Sequence, residues 1–162
     1  KKNIKLGVAR AGNVIGGGDW SKDRLIPDCV RSWSRKKKVS IRNPSSTRPW
    51  QHVLEAVWSY MFFASKLKYN KNLNGHAFNF GPKSKKNYSV SELLKMMRKY
   101  WSDAHYSYPK KKKKQFSESK LLKLNCTKAR KLLKWQSVLN FNETANLTIE
   151  WYYNFYFKNK NM

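Results

Sequence analysis

Acidic residues are scarce in this chain of 162 residues: 9 Asp and Glu stand against 35 Lys and Arg, a formal charge of +26. Cysteine is rarer still. Cys29 and Cys126 lie far apart and outside any metal-ligand spacing. That excludes a disulfide framework and a zinc motif, and reduced thiols in a cytoplasm are expected. No apolar run approaches the ~20 residues that a membrane-spanning helix needs. The opening Lys1-Lys2-Asn3-Ile4 carries no signal-peptide hydrophobic region. His52, His76 and His105 have no ligand spacing with one another or with the few acids, so no metal site is read. The serines sit at caps and in loops without a nucleophile elbow.

Aromatic and apolar residues are plentiful, at 15% and 40% of the chain, which argues for a packed core rather than disorder. A single domain of this length buries roughly 70% of its unfolded surface. The excess of positive charge raises the question of a polyanionic partner. However, the basic residues run the whole length instead of forming a stripe, lysine far exceeds arginine, and no zinc-finger, RRM-type or KH-type signature is present. Lysines spread over solvated faces are the favoured reading. A basic nucleic-acid-binding module is kept as the rival from a different class.

The chain alternates strand and helix signals. Ile4 to Ala9 is a near-continuous apolar run, expected as a strand buried on both faces. The polar loop Arg10-Ala-Gly-Asn-Val-Ile-Gly-Gly-Gly-Asp-Trp20 follows. Leu25, Ile26, Cys29, Val30 and Trp33 then recur at helical spacing, with Pro27 tolerated in the first turn and Arg35 to Lys38 suiting the C-terminal end. Val39 to Arg42 predicts a short strand, Asn43 to Ser46 a turn, and Trp50 to Val53 an extended segment. A strongly apolar helix is marked by Leu54, Val57, Trp58, Met61, Phe62 and Ala64 to Leu67, and His76 to Phe80 is a strand ending at Gly81-Pro82. Ser89-Val90-Ser91-Glu92 reads as a capping box opening a helix through Trp101. Lys110 to Lys114 is a run of lysines expected to stay solvated, and Leu121 to Leu124 a short edge strand. Asn125 is expected to cap a helix through Trp135, and Asn140 to Glu143 a final helix through Phe157.

A strand emptying into a glycine-rich polar loop is where open α/β sheets place ligands. Gly16-Gly17-Gly18 is not a phosphate loop: neither the Gly-Lys-Ser/Thr of a Walker motif nor spaced glycines opening a helix follows. Three glycines state only that the backbone takes unusual dihedrals or approaches something closely. Arg42 and Arg48 border proline-containing loops, where a guanidinium fork can match paired diphosphate oxygens. The bland alternative is a solvated or structurally paired arginine. Asn13 and Asn79 each follow an apolar strand, so each amide could face a ligand or merely cap a turn. His52 is expected to be packed and hydrogen-bonded.

The segments Arg10 to Trp20, Asp23 to Asp28, Arg42-Asn43-Pro44, Arg48 to Leu54, Phe78 to Pro82 and Leu122 to Ala129 together closely resemble the C-terminal part of CDP-glucose 4,6-dehydratases. These are extended short-chain dehydrogenase/reductase enzymes acting on nucleotide sugars. The resemblance implies an α/β fold: the C-terminal part of a Rossmann-type enzyme, including the smaller mixed α/β substrate-binding region. Residues 1–20 would complete the Rossmann core and ligand loop, and 21–162 would form mainly the substrate region. By the same resemblance Ala11 and Gly12 lie near the nicotinamide end of NAD, and Asn13 contacts the sugar diphosphate. Arg24 and Leu25 flank the nucleotide, Arg42 sits near the base or ribose, Arg48 grips phosphate, and Asn79 lines the same pocket. Such enzymes turn CDP-glucose into CDP-4-keto-6-deoxyglucose for surface polysaccharide, and are commonly homodimers. A nucleotide-sugar epimerase of the same superfamily is the nearest rival.

Two departures accompany the resemblance. The family's Gly-x-x-Gly-x-x-Gly after an N-terminal strand, and the Tyr-x-x-x-Lys of its catalytic helix, find no counterpart, so no catalytic residue is assigned and the chain is expected to be an inactive C-terminal fragment. At Phe116-Ser117-Glu118-Ser119 the resemblance leads one to expect a histidine before the glutamate and a tyrosine shortly after, where Ser117 and Leu121 stand. Exposed apolar surface and poor solubility are expected of such a fragment.

Overall fold

The computed structural model describes residues 4–83, 86–108 and 124–158. The lysine run, the Phe116 to Ser119 departure and Leu121 to Lys123 of the expected edge strand lie outside the described residues.

Parallel pairing organises the ligand end. Strand β1 (Val8–Ala11) runs beside the later strand β6 (Ala77–Phe80), with Ala11 opposite Phe80. Gly12 interrupts the ladder, and β2 (Asn13–Ile15) then pairs in parallel with β5 (Trp50–His52), Ile15 opposite His52. Helix α1 (Leu25–Trp33) follows β2, and α2 (Val53–Tyr69) springs from the end of β5. Four two-residue strands complete two further pairs: β3 (Val39–Ser40) is parallel to β8 (Tyr106–Ser107), and β4 (Thr47–Arg48) is antiparallel to β7 (Tyr88–Ser89). Parallel strands need long crossovers, and here the intervening helices supply them.

The larger core lies between α1, α3 (Val90–Tyr100) and α4 (Phe141–Phe157), filled by Cys29, Val30, Trp33, Leu93, Leu94, Met97, Trp101, Ile149 and Tyr152. Trp33 is fully buried, and its indole N–H donates to the His105 carbonyl at 3.0 Å, so burial leaves no orphan donor. The Tyr88 ring stacks on Phe141 at 3.8 Å, joining β7 to the start of α4. Both expected capping boxes form. Ser89 N donates to the Glu92 carboxylate at 2.8 Å while Glu92 N donates to Ser89 Oγ at 3.2 Å. Asn140 and Glu143 repeat the exchange at 2.7 and 3.0 Å. Each box satisfies helix-end donors that would otherwise be unpaired. Lys86 Nζ sits 2.7 Å from the Glu92 carboxylate, and this contact with the Ser89 bonds lowers the Glu92 pKa from 4.5 to about 2.

A second core holds Phe63, Phe78, Phe80, Leu133 and Trp135 between α2, β6 and the turn Ala129–Leu133. That turn is π-helical rather than the α-helix expected after Asn125, although Asn125 Oδ1 does accept from Thr127 N at 2.9 Å as a capping residue would. Leu124 carries no strand.

The expectation of a doubly buried strand at Ile4 to Ala9 is corrected. The ladder begins only at Val8, and Ile4 and Leu6 are 77% and 67% exposed. Side chains alternate across a strand. The Gly7 and Ala9 side lies against α2, where a Cβ on Gly7 would meet the Phe63 ring, while Ile4, Leu6 and, less so, Val8 on the other side are exposed. Helix α2 forms as expected, but it buries Glu55, Ala56, Ser59 and Phe63 and leaves Leu54, Val57, Trp58 and Met61 exposed.

Candidate functional site

The carboxyl ends of β1 and β2 open into a cleft of about 930 Å³. One side is lined by Ala11 to Gly16. One wall is the start of α1 with Asp23, Arg24 and Leu25, and the other carries Arg42, Ser46, Arg48 and Trp50. Local chemistry fixes these pieces. Gly12 is pressed against the loop before β5: an added Cβ would stand 2.5 Å from the Pro49 carbonyl oxygen, and Asn13 N donates to that oxygen at 3.1 Å. Gly12 N also points at the Gln51 amide oxygen, 3.5 Å away, from a fully buried Gln51.

The three consecutive glycines have structural reasons. A Cβ on Gly17 would overlap the Trp151 ring at 2.1 Å, and Gly18 has a φ of +77°, a conformation that side chains strain. The loop they make is then pinned from two sides. From α1, the Arg31 guanidinium donates to the carbonyls of Trp20 at 2.8 Å and Ser21 at 3.2 Å, and is itself held by Asp28 at 2.5 Å. From α4, the Tyr152 hydroxyl bonds the backbone of Asp19.

Seven of the eight residues singled out in the sequence line this one cleft: Ala11, Gly12, Asn13, Arg24, Leu25, Arg42 and Arg48. Arg24 and Arg42 are exposed at its rim, while Arg48 is half-buried and donates to its neighbour's carbonyl, Thr47 O, at 2.9 Å. Asn79 is not among the lining residues. The β1–β6 register sets it opposite Arg10, whose guanidinium donates to Asn79 Oδ1 at 3.4 Å, and Asn79 Nδ2 donates to the Asn125 carbonyl at 3.2 Å. His52 is buried as expected; its Nδ1 accepts from Leu54 N at 3.3 Å at the start of α2, and burial lowers its pKa. Cys29 lines the cleft, yet burial beside Asp28 pushes its thiol up to about 12, so it is no nucleophile at neutral pH.

Sequence reasoning missed Asp19, Arg31, Gln51 and Tyr152. The Asp28–Arg31 spacing is a legible i,i+3 pair, but nothing local announces that Arg31 also holds a loop. Among the described residues no group of three His, Cys, Asp or Glu could hold a metal ion, and no helix is long and apolar enough to cross a membrane.

A cleft beyond the carboxyl ends of parallel strands, ringed by arginines, is the ligand position of open α/β sheets. Comparison with solved structures shows the same fold in nucleotide-sugar enzymes of the Rossmann-type short-chain dehydrogenase/reductase class. UDP-glucose 4-epimerase from Stenotrophomonas maltophila matches with a TM-score of 0.78 at 12% identity, over 95% of this chain and 49% of that one. UDP-glucuronic acid 4-epimerase from Bacillus cereus, in complex with UDP-glucuronic acid and NAD, matches with 0.75 at 18% identity, over 94% and 46%. dTDP-glucose 4,6-dehydratase from Bacillus anthracis, in complex with NAD, matches with 0.71 at 19% identity, over 96% and 45%.

In sequence, the chain is 40% identical over 149 residues to CDP-glucose 4,6-dehydratase of Salmonella typhimurium, which bears out the resemblance carried by the glycine loop and the Arg48 segment. The match takes in 92% of this chain and 41% of that enzyme, so the chain spans about two-fifths of its curated relative and about half of the solved structures. No protein-family model matches.

Proposed function

We propose that this chain is the substrate-binding portion of an NAD-dependent CDP-glucose 4,6-dehydratase, a lyase yielding CDP-4-keto-6-deoxyglucose. The observation that carries the reading is the convergence of Arg24, Arg42 and Arg48 with the Asn13 amide on one cleft. A nucleotide diphosphate brings paired anionic oxygens, and each charge-assisted bond to arginine nets about 1.5–3 kcal/mol. In this reading Arg48, the least exposed of the three, grips the diphosphate. Asn13 supports the sugar side of the diphosphate, Arg24 and Leu25 flank the nucleotide, and Arg42 reaches the base or ribose from the rim. Asn79, tied to Arg10 and Asn125, acts one step back by fixing the end of β1.

The end of β1 fits a cofactor only in part. Ala11 and Gly12 line the cleft with the smallest side chains available, which suits the approach of a flat ring such as nicotinamide. Ala11 and Gly12 would lie beside the nicotinamide end of bound NAD, whose chemistry there would be to take up and give back a hydride. Most of its binding surface would come from the part of the relative's length that this chain does not span. The exposure of Ile4 and Leu6 before β1 and of Leu54 and Met61 on α2 supports a contact of such a part with this face. Catalysis, a cytoplasmic location, deoxysugar supply for surface polysaccharide and a homodimer are expectations that go with the same reading.

An epimerase of the same superfamily is the second reading, since solved epimerases share this fold as the dehydratase does. The test combines this chain with the unmatched part of the Salmonella relative, NAD and CDP-glucose, and follows the sugar nucleotide by mass. Loss of one water with a keto product supports the dehydratase. An isomer of unchanged mass supports the epimerase. Binding of UDP-glucose in preference to CDP-glucose would refute the CDP assignment.

A further inference from the structure

Gly16 and Asp19 of the glycine loop line the cleft, yet the loop is held by the last helix, more than a hundred residues away in sequence. Tyr152 of α4 is fully buried and lines the cleft. Its hydroxyl accepts from Asp19 N at 3.1 Å and donates to Asp19 O at 2.8 Å, so one phenol closes both backbone groups of a single loop residue. Beside it, the Trp20 ring packs against Trp151, Tyr152, Phe155 and Tyr156, with centroids 5.0–6.2 Å away, and keeps its other side in solvent. Asp19 itself lines the cleft, and one of its carboxylate oxygens accepts from Ser21 N at 3.0 Å. The phenol hydroxyl is thus spent on the loop, and burial raises its pKa to about 12. Both facts make Tyr152 unsuited to proton transfer with a ligand at neutral pH.

We infer that Tyr152 is a positioning residue for the ligand cleft: its hydroxyl locks the Asp19 backbone so that the Gly16 to Asp19 wall is set before a nucleotide sugar arrives. This rests on the function proposed above. A preset wall spares the ligand the ordering cost of a glycine-rich loop, and three adjacent glycines would otherwise leave that segment with large freedom.

The test is Tyr152→Phe, which keeps the ring in its aromatic cage and removes only the two hydrogen bonds. Thr148→Val serves as a control for general weakening of α4, because Thr148 Oγ1 bonds only within the helix, to the Thr144 carbonyl at 2.8 Å. Amide exchange and calorimetric titration with CDP-glucose are measured on both variants. Y152F is expected to speed exchange at Asp19 and its loop neighbours, leave the β1–β6 amides unchanged, and weaken CDP-glucose about tenfold, as two lost bonds of ordinary strength would. T148V is expected to lower the thermal midpoint with neither effect. p-Aminophenylalanine at 152, which restores a polar group on the ring, should recover loop protection.

Unchanged loop exchange in Y152F overturns the inference, as does an affinity equal to that of the wild type. If the unaltered chain binds neither CDP-glucose nor CDP, the proposed function fails instead. The lock is then judged by exchange alone, faster exchange at Asp19 supporting it and unchanged exchange refuting it.

Discussion

Helices α2 and α4 have equal length, 17 residues each, and differ by degree in their relation to water: Leu147, Trp151, Phe155 and Phe157 of α4 are 41–45% exposed, Leu54, Val57, Trp58 and Met61 of α2 48–65%. Helix α4 begins in a capping box and buries Phe141, Ala145, Ile149 and Tyr152 against α3 and the glycine loop. Helix α2 begins at the ring nitrogen of His52, packs Glu55, Ala56, Ser59 and Phe63 inward, and turns Leu54, Val57, Trp58 and Met61 outward. An apolar helix face is stable in water only when something covers it. The cleft side of the molecule is finished by the chain's own residues, while the α2 and β1 side leaves more apolar surface exposed among the described residues.

Breaking the finished side has the largest effect. Trp33→Ala removes a fully buried ring of the main core and its bond to His105, and is expected to cost about 3–5 kcal/mol in denaturant unfolding. Trp58→Ser on α2, where the indole is 53% exposed, should shift the same midpoint by less than about 0.5 kcal/mol and raise solubility. A cost for Trp58→Ser equal to that for Trp33→Ala would erase the distinction between the two sides.

Between these limits lies Gly17→Ala. Its new methyl collides with the Trp151 ring, and the expected loss of about 1–3 kcal/mol is one of overpacking. Thermal melts of the variant check it, and a neutral result would mean the loop is not clamped against α4.

The smallest effect is pH-dependent. The Lys86 and Ser89 contacts hold the Glu92 carboxyl at about 2 in the folded protein, against 4.5 ordinarily. A depressed folded pKa means the stabilisation is complete above 4.5 and is lost as the pH falls from there toward 2. His52 acts higher: burial lowers its pKa below 6.5, so its contribution is complete above 6.5 and declines below it as the unfolded chain takes up the proton. Glu92→Gln should flatten the acid limb of a stability-against-pH curve and leave the region near 6.5 unchanged. An unaltered acid limb would show that the Glu92 contacts do not couple to folding.

Much of the site was legible because its signals are local. Arg42 and Arg48 border proline-containing loops, Arg24 came from the family resemblance alone, and the capping boxes are written within four residues. The glycine triplet announced a close approach without naming its cause, which turns out to be Trp151. What could not be read depends on contacts distant in sequence. Tyr152 meets Asp19 across the whole fold, and in sequence it is one aromatic among several in an apolar helix. The buried-strand expectation at Ile4 to Ala9 failed for a related reason: an apolar run records what a strand is built to touch, and only its Gly7 and Ala9 side has that contact here. Asn79 shows the limit of reading a residue by the strand it ends, since the β1–β6 register gives it to Arg10 rather than to the cleft lining.

The central claim is that the arginines of this cleft neutralise a nucleotide diphosphate. Calorimetric titration of CDP-glucose into the unaltered chain and into Arg48→Met tests it most directly. The account predicts saturable binding that weakens by roughly ten- to a hundredfold in the variant, the loss of about 1.5–3 kcal/mol of charge-assisted hydrogen bonding. Equal affinity in the two proteins would contradict it.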